Sequence, residues 1–302
     1  QMAPGGTVTT TFTISINDGV AAAVTNSTTT VIATAINNAP TITGTKSTAQ
    51  SVTDKTTVKP FSAVTIGDTD SPAQTLTVQV TLSAASNGTL AGGGFSSMGG
   101  GVYQFTGTAS AATTAIRALT FTPTANQVAP NSKVATTFTL SVNDGFTTTS
   151  DGYTNVSSTS VNDAPTVTGA VSNQAVTDKT TVMPFTGITL GDVDSPAQTL
   201  TVTLAISSSS YGSFSTASLA ASGFATSGAG TYLFYGTAAE ATTAIRQLVF
   251  VPTENLVTPG QSTLTKITIT VKDGITTTTN STNTTTSTTG GWNGGANGSV
   301  AC

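Results

Sequence analysis

Hydrophobic and polar residues alternate along much of this chain. Phe12, Ile14 and Ile16 are separated by Thr13 and Ser15, and the spacing returns at Phe138, Leu140 and Val142 and at Ile267, Ile269 and Val271. Leu76, Val78, Val80 and Leu82 form another such run, echoed by Leu200, Val202, Leu204 and Ile206. A period of two marks strands with one face in a core and the other in water. Turn residues fall between the runs at the spacing of an all-β sandwich. The one helical pattern is Ala111 to Leu119 and its partner Ala241 to Leu248. Each is expected as an alanine-rich turn or two crossing between strands.

The runs belong to a longer repeat. Residues 51–78 (SVTDKTTVKPFSAVTIGDTDSPAQTLTV) match residues 175–202 (AVTDKTTVMPFTGITLGDVDSPAQTLTV) at 21 of 28 positions. TGTASAATTAIRALTFTPTAN (106–126) answers YGTAAEATTAIRQLVFVPTEN (235–255). An Asp-Gly marker closes ISINDG at Gly19, LSVNDG at Gly145 and ITVKDG at Gly274, spacings of 126 and 129 residues. Asn37-Asn38-Ala39-Pro40 returns as Asn162-Asp163-Ala164-Pro165. A unit of this size is a whole domain rather than a solenoid rung. Because QMAPGGTVTTTFTISINDG aligns with QVAPNSKVATTFTLSVNDG from Gln127, residues 1–38 read as the C-terminal part of a truncated repeat. Complete repeats are expected at 39–163 and 164–289, followed by a Gly/Asn-rich tail at 290–302. The opening Gln1-Met2-Ala3-Pro4 has no leader pattern and reads as the start of a processed or partial chain.

Composition narrows the chemistry. Charged residues are 7% of the 302, against roughly 25% in an average soluble domain. Thr supplies 70 positions and fills the outward strand faces, which keeps a strand-rich chain soluble with few charges. There is no His, and the single Cys is Cys302. No internal disulfide, zinc or haem site, Ser-His-Asp unit or imidazole pH switch is possible on those counts. Nine cations and a net charge of -4 exclude nucleic acid as a partner. No apolar run approaches the roughly 18 residues of a membrane span. Thr, Val and Ile in such numbers argue for folded strands rather than disorder.

The 13 acidic residues are placed systematically. Asp18, Asp144 and Asp273 sit in the Asp-Gly markers, Asp163 in the linker, Asp54 and Asp178 in the VTDK segments. Asp68, Asp70, Asp192 and Asp194 form two Asp-x-Asp-Ser segments. Only Asp151, Glu240 and Glu254 fall outside these positions.

This succession, from a strand ending in Asp-Gly, through a final strand to Asn-Asp-Ala-Pro and on to Asp-x-Asp-Ser, resembles the bacterial cadherin-like repeats of large exported adhesins and surface fibre proteins, over nearly the whole chain. The resemblance implies Greek-key sandwiches of immunoglobulin/cadherin type laid end to end, with calcium between them. It implies a second junction held by Asp144, Asn162, Asp163, Asp178, Asp192 and Asp194. A first would use Asp18, Asn37, Asn38, Asp54, Asp68 and Asp70. Calcium takes six to eight hard oxygens, and Asp residues at i and i+2 of an extended segment project to one side. Carboxylates converging without a cation repel one another. Asn38 stands where the second repeat has Asp163, so the first junction is expected to bind more weakly. The Leu-Asp-Arg-Glu-type motif of animal cadherins is absent, and Ala-Ile-Arg lies near its place. The same motifs also serve as turns: Asn-Asp-Gly closes hairpins and Asp-Ser-Pro opens loops.

Other features carry less. Gly92-Gly93-Gly94 and Gly99-Gly100-Gly101, with Ser222-Gly223 to Gly230 opposite them in the second repeat, lack a following Gly-Lys-Ser/Thr and are expected as hairpin loops rather than phosphate cradles. Asn26, Asn87, Asn155 and Asn280 open glycan sequons, and Trp292 lies in the tail. The Asp pairs lack the aromatic platform of a glycosidase. The resulting expectation is a non-enzymatic, extracellular, bacterial cell-surface spacer or fibre segment. Its partners would be neighbouring repeats, copies of itself, or a surface or glycan ligand. The alternatives are a self-assembling filament, sheath or surface-layer subunit joined by strand complementation, and a carbohydrate-binding adhesin. Two strands alone bury no core, so residues 1–38 require completion in cis or in trans.

Overall fold

The computed structural model describes residues 2–290, so the Trp292 and Cys302 expectations and nearly all of the tail lie outside the described residues. The chain divides into two compact units, Gln1–Gln127 with Asn131–Val161, and Asn162–Cys302 with Val128–Pro130. The main break falls between Val161 and Asn162.

The first unit opens with a hairpin of β1 (Thr7–Ile16) and β2 (Val24–Thr34). Its sandwich then runs β3 (Thr41–Thr43), β4 (Gln50–Thr53), β5 (Thr65–Gly67), β6 (Leu76–Leu82), β7 (Gly88–Ala91), β8 (Ser96–Gly99) and β9 (Val102–Gly107). After α1 (Ala109–Ala118) come β10 (Thr120–Pro123), β11 (Lys133–Asn143), β12 (Thr148–Asp151) and β13 (Asn155–Thr159). The main sheet has the order β4-β13-β11-β6-β9-β8, with β12 also on β11, and two small sheets pair β3 with β5 and β7 with β10.

The second unit repeats this plan. It contains β14 (Thr166–Thr168), β15 (Gln174–Thr177), β16 (Thr189–Gly191), β17 (Leu200–Ile206) and β18 (Gly212–Phe214). Then follow α2 (Thr216–Ser222), β19 (Ala225–Gly228), β20 (Thr231–Gly236), α3 (Ala238–Arg246) and β21 (Phe250–Pro252). The chain closes with β22 (Ser262–Lys272), β23 (Thr277–Asn280) and β24 (Thr284–Thr288). The main sheet here runs β15-β24-β22-β17-β20-β19. Both units are all-β sandwiches, as the alternation predicts.

The period-two runs form the inner faces. In β6, Leu76, Val78, Val80 and Leu82 are buried and the residues between them are half-buried. β11 pairs with β6 in the register Phe138↔Leu82, Leu140↔Val80 and Val142↔Val78. Phe138 meets Phe61 and Phe121 edge-on at centroid distances of 5.5 and 5.1 Å, joining the main sheet to the smaller layer. Each buried side chain of this kind contributes about 1.5–3 kcal/mol relative to exposure.

The alanine segments are longer helices than expected. Thr108 caps α1 by accepting from the Ala111 N–H at 3.4 Å. Ala112, Ala115 and Ile116 face the core. α3 has a full capping box between Thr237 and Glu240. Small residues on one face let each helix lie close on the sandwich, which makes it part of the core rather than a crossover turn. Arg117 then reaches Val64 O at 2.7 Å and Thr65 Oγ1 at 2.6 Å. Arg246 repeats this with Ile188 O at 2.7 Å and Thr189 Oγ1 at 2.8 Å.

Two further differences have local causes. In the second repeat α2 leads into the expected loop, capped by Ser215 and closed by left-handed Gly223. In the first unit the chain instead turns at Gly93 (φ 62°), where a Cβ would lie 2.1 Å from Ala115 O, so only glycine passes. The β1–β2 hairpin also departs from the half-buried pattern of its counterparts, because every residue of both strands is exposed.

Candidate functional site

In each unit the residues that open the repeat are tied to the Asp-Gly turn that closes the same sheet. In the first unit Asn37 Nδ2 donates to Asp144 Oδ2 at 2.9 Å and to Thr147 Oγ1 at 3.3 Å. Gln74 Nε2 donates to Asn37 Oδ1 at 3.2 Å. Asn38 donates its backbone N–H to Asp70 Oδ2 at 3.1 Å and its side-chain Nδ2 to Asp70 Oδ1 at 3.0 Å. The Asp70 N–H donates to Asp68 Oδ1 at 3.0 Å, the local turn that an Asp-x-Asp spacing allows.

The second unit has the same frame and one changed residue. Asn162 Nδ2 donates to Asp273 Oδ2 at 2.9 Å and to Thr276 Oγ1 at 3.1 Å. The Asp163 N–H donates to Asp194 Oδ2 at 3.1 Å, and Gln198 Nε2 reaches the same oxygen at 3.4 Å. The Asp194 N–H donates to Asp192 Oδ1 at 3.0 Å. A carboxylate at position 163 has no amide to offer where Asn38 has one. Asp194 Oδ1 is accordingly buried without a hydrogen-bond partner, whereas its counterpart Asp70 Oδ1 is satisfied. Asp192 Oδ2 and Gln198 Oε1 are also buried and unpartnered, as are Asp68 Oδ2 and Gln74 Oε1 in the first unit. Buried acceptors without donors cost free energy.

The carboxylates of the second cluster titrate in opposite directions, and Asp144 of the first behaves as Asp273 does. Burial would raise Asp144, but donation from Thr147, Asn37 and Phe146 overrides it and holds the group at about 2. Asp273 is likewise opposed by burial and held at about 2 by Asn162, Thr276 and Ile275. Asp192 is pushed up by burial, and the charges of Asp273 and Asp163 add to this against the Asp194 N–H. Burial also raises Asp194, with further repulsion from Asp192, Asp163 and Asp273.

Within each unit the hydrogen bonds place the residues of the implied sets as follows. Asp144 bonds to Asn37 of its own unit, because the strand before each Asp-Gly turn pairs within its own sheet. Asp273 takes that place beside Asn162, although the sets omitted it. Its Asp-Gly marker is the signal that identifies it. Gln74 and Gln198 were also missed, and their signal is the recurrent Asp-Ser-Pro-Ala-Gln. Asp18 lies in the exposed β1–β2 turn, where the N–H groups of Ala21 at 2.8 Å and Val20 at 3.0 Å hold its carboxyl low. Asp54 spends both oxygens on protein donors: Asn126 N–H at 2.9 Å, Val161 N–H at 3.0 Å and Ser160 Oγ at 3.2 Å. Asp178 accepts from the N–H groups of Asn255 at 3.0 Å and Gly290 at 3.3 Å. Each of these two acids fastens a loop and the segment after the last strand of its own unit.

The oxygens of the second cluster suit a hard cation in kind. In number they fall short of an all-carboxylate site, since among the described residues no three His, Cys, Asp or Glu side chains form a group that could hold a metal ion. No described helix is long and apolar enough to cross a membrane.

No family model and no curated protein matches the sequence. Among solved structures the chain is similar to an endo-fucoidan hydrolase of glycoside hydrolase family 107, at 13% identity and TM-score 0.23, covering 93% of this chain and 34% of that one. The chain thus spans about a third of the hydrolase. It is also similar to the C-terminal domain of the Streptococcus agalactiae AgI/II polypeptide BspA, at 9% identity and TM-score 0.23 over 83% of this chain and 99% of that one. Zebrafish RET cadherin-like domains 1 to 4 match at 12% identity and TM-score 0.25, over 93% of this chain and 58% of that one.

Proposed function

We propose that this chain is a non-enzymatic, extracellular structural or adhesive repeat segment of a bacterial surface protein, serving as a stiff spacer. The observation that carries the reading is the anchoring of four consecutive residues at the repeat boundary. Ser160 and Val161 are held by Asp54 of the first unit. Asn162 and Asp163 are held by Asp273 and Asp194 of the second. Each of the four is engaged by its own unit, which leaves no unanchored residue at the boundary.

The same reading assigns calcium to the second cluster. Asp192 Oδ2, Asp194 Oδ1 and Gln198 Oε1 would hold it, completed by backbone oxygens and water, and the ion would offset the burial and the repulsion that raise Asp192 and Asp194. The first cluster binds more weakly because Asn38 occupies Asp70 Oδ1 internally.

Small-angle scattering and thermal unfolding, with calcium chloride and with chelator, test both parts. A stiff spacer gives an extended pair-distance distribution, and calcium raises the melting temperature of the second unit more than that of the first. A broad, collapsed distribution removes the spacer. Melting temperatures unmoved by calcium remove the ion alone.

A further inference from the structure

Within the two sandwiches, Asn87, Asn155 and Asn280 each open an Asn-x-Ser/Thr sequence, the acceptor signal for an N-linked sugar. Sugar transfer needs a side-chain amide nitrogen that is free and within reach, and the fold treats the three differently. Asn87 is 8% exposed, with Nδ2 donating to Ala135 O at 3.3 Å and Oδ1 accepting from Gln127 Nε2 at 3.2 Å. The next residue, Gly88, is itself buried, and a Cβ there would collide with Thr122 O. Asn155 spends Nδ2 on Ser47 O at 3.0 Å and Tyr153 O at 3.1 Å. Its signal runs through Val156, a core residue of β13, and β13 is paired on both edges, to β11 and β4.

Asn280 differs on each count. It is the last residue of β23, which pairs with β22 alone, and it stands opposite Ile269. Ser281 and Thr282, which complete the signal, are exposed. Asn280 Oδ1 accepts from the Thr282 N–H at 3.0 Å, and Nδ2 donates to no acceptor among the described residues. The turn therefore fixes the amide by its oxygen and leaves its nitrogen outward. A donor on the oxygen also draws electron density from Nδ2 and eases loss of its proton. Asn26 makes the same bond to the Thr28 N–H at 2.9 Å, so the turn belongs to the local sequence Asn-Ser-Thr.

We infer that Asn280 is the acceptor of an N-linked sugar, and that Asn87 and Asn155 are not. The co-reactant is a sugar activated as a diphosphate ester and delivered by a transferase. Nδ2 attacks the anomeric carbon and forms the C–N bond. The C–O bond to the diphosphate breaks, the diphosphate leaves with that electron pair, and one Nδ2 proton passes to a base of the transferase. Nothing is oxidised or reduced.

The position gives the sugar a use. Asp151 occupies it in the first unit, opposite Leu140 on β12, and puts a carboxylate at that edge. β23 has the sequence Thr-Thr-Thr-Asn, with no charge and no proline to discourage pairing with a foreign strand. A hydrated sugar on Asn280 guards the edge that Asp151 guards by charge. This inference goes beyond the spacer reading and stands whether or not calcium binds.

The test is glycopeptide mapping of the full chain isolated from its own cells, with electron-transfer fragmentation to place the sugar on a residue. Sugar is expected on Asn280 and on neither Asn87 nor Asn155. Thr282→Ala should abolish it and Thr282→Ser should retain it. Both variants keep the second unit's melting transition, because the bond to Asn280 comes from the backbone N–H. A bare Asn280 overturns the inference. So does a sugar that survives Thr282→Ala, or one that the fragments place on a neighbouring threonine. Sugar on Asn87 or Asn155 overturns the rule that a tied amide is no acceptor.

Discussion

Asn162 Nδ2 lies 2.9 Å from Asp273 Oδ2, joining residues 111 apart in sequence, and Asn37 forms the same bond at 2.9 Å to Asp144, 107 residues away. One amide thus ties the first residues of each repeat to the turn that ends its central strand.

Removing that amide should unfasten the turn. In Asn162→Ala, Asp273 Oδ2 keeps only the Thr276 hydroxyl at 2.7 Å. The loss is expected at about 1–3 kcal/mol of second-unit stability in urea unfolding. The Asp273 carboxyl should move up from about 2 towards 3.8 in an NMR titration. A stability and titration identical to the parent's would show that the bond is incidental.

Acid should act on the second unit in two phases. Asp273 is held at about 2, so its stabilisation is full above 3.8 and is lost as pH falls from 3.8 through about 2. Asp192 and Asp194 have the opposite sign. Their raised values favour the protonated fold, so they penalise it at neutral pH and the penalty fades as pH drops through those values. The metal-free second unit should therefore gain stability on mild acidification before losing it below 3.8. Urea midpoints across pH report this, and a steady decline from neutral pH contradicts it.

Asp163→Asn should convert the second cluster into the first. It removes one like charge and restores an amide of the kind that Asn38 gives Asp70 Oδ1. Metal-free stability is expected to rise by about 1 kcal/mol. Any stabilisation by calcium should shrink, which differential scanning fluorimetry measures directly.

Asp54→Ala separates fastening from metal binding. It strands the N–H groups of Asn126 and Val161. A cost of about 1.5–3 kcal/mol is expected, since the lost bonds are to a charged group. The calcium response should be unchanged, and a lost response would return Asp54 to the ion site.

Phe138→Ala and Phe12→Ala change the same repeat position. The first empties a site between Phe61 and Phe121 and should cost about 3–5 kcal/mol. The second, on the uncovered hairpin, should stay within about 0.5 kcal/mol. Equal costs would mean that the hairpin is covered in solution.

The fold was legible because strand alternation is local. Leu76 to Leu82 declares its buried face residue by residue, and two closely matching copies locate the sandwiches. The amino-acid sequence by itself determined the class, the repeat frame and the absence of histidine chemistry. It also marked the acids that recur. It could not say which acids meet, because Asp-Gly, Asp-x-Asp and Asn-Asp-Ala-Pro are each turn motifs whose partners lie more than 30 residues away. Only tertiary pairing decided that Asp144 belongs with Asn37, that Asp54 and Asp178 bind backbone rather than join the clusters, and that Asp194 is left with an unpaired oxygen. The physical reason is that a carboxylate's role is set by the donors that surround it after the sheet has closed. Local sequence fixes where that carboxylate starts, and strand register fixes what it meets.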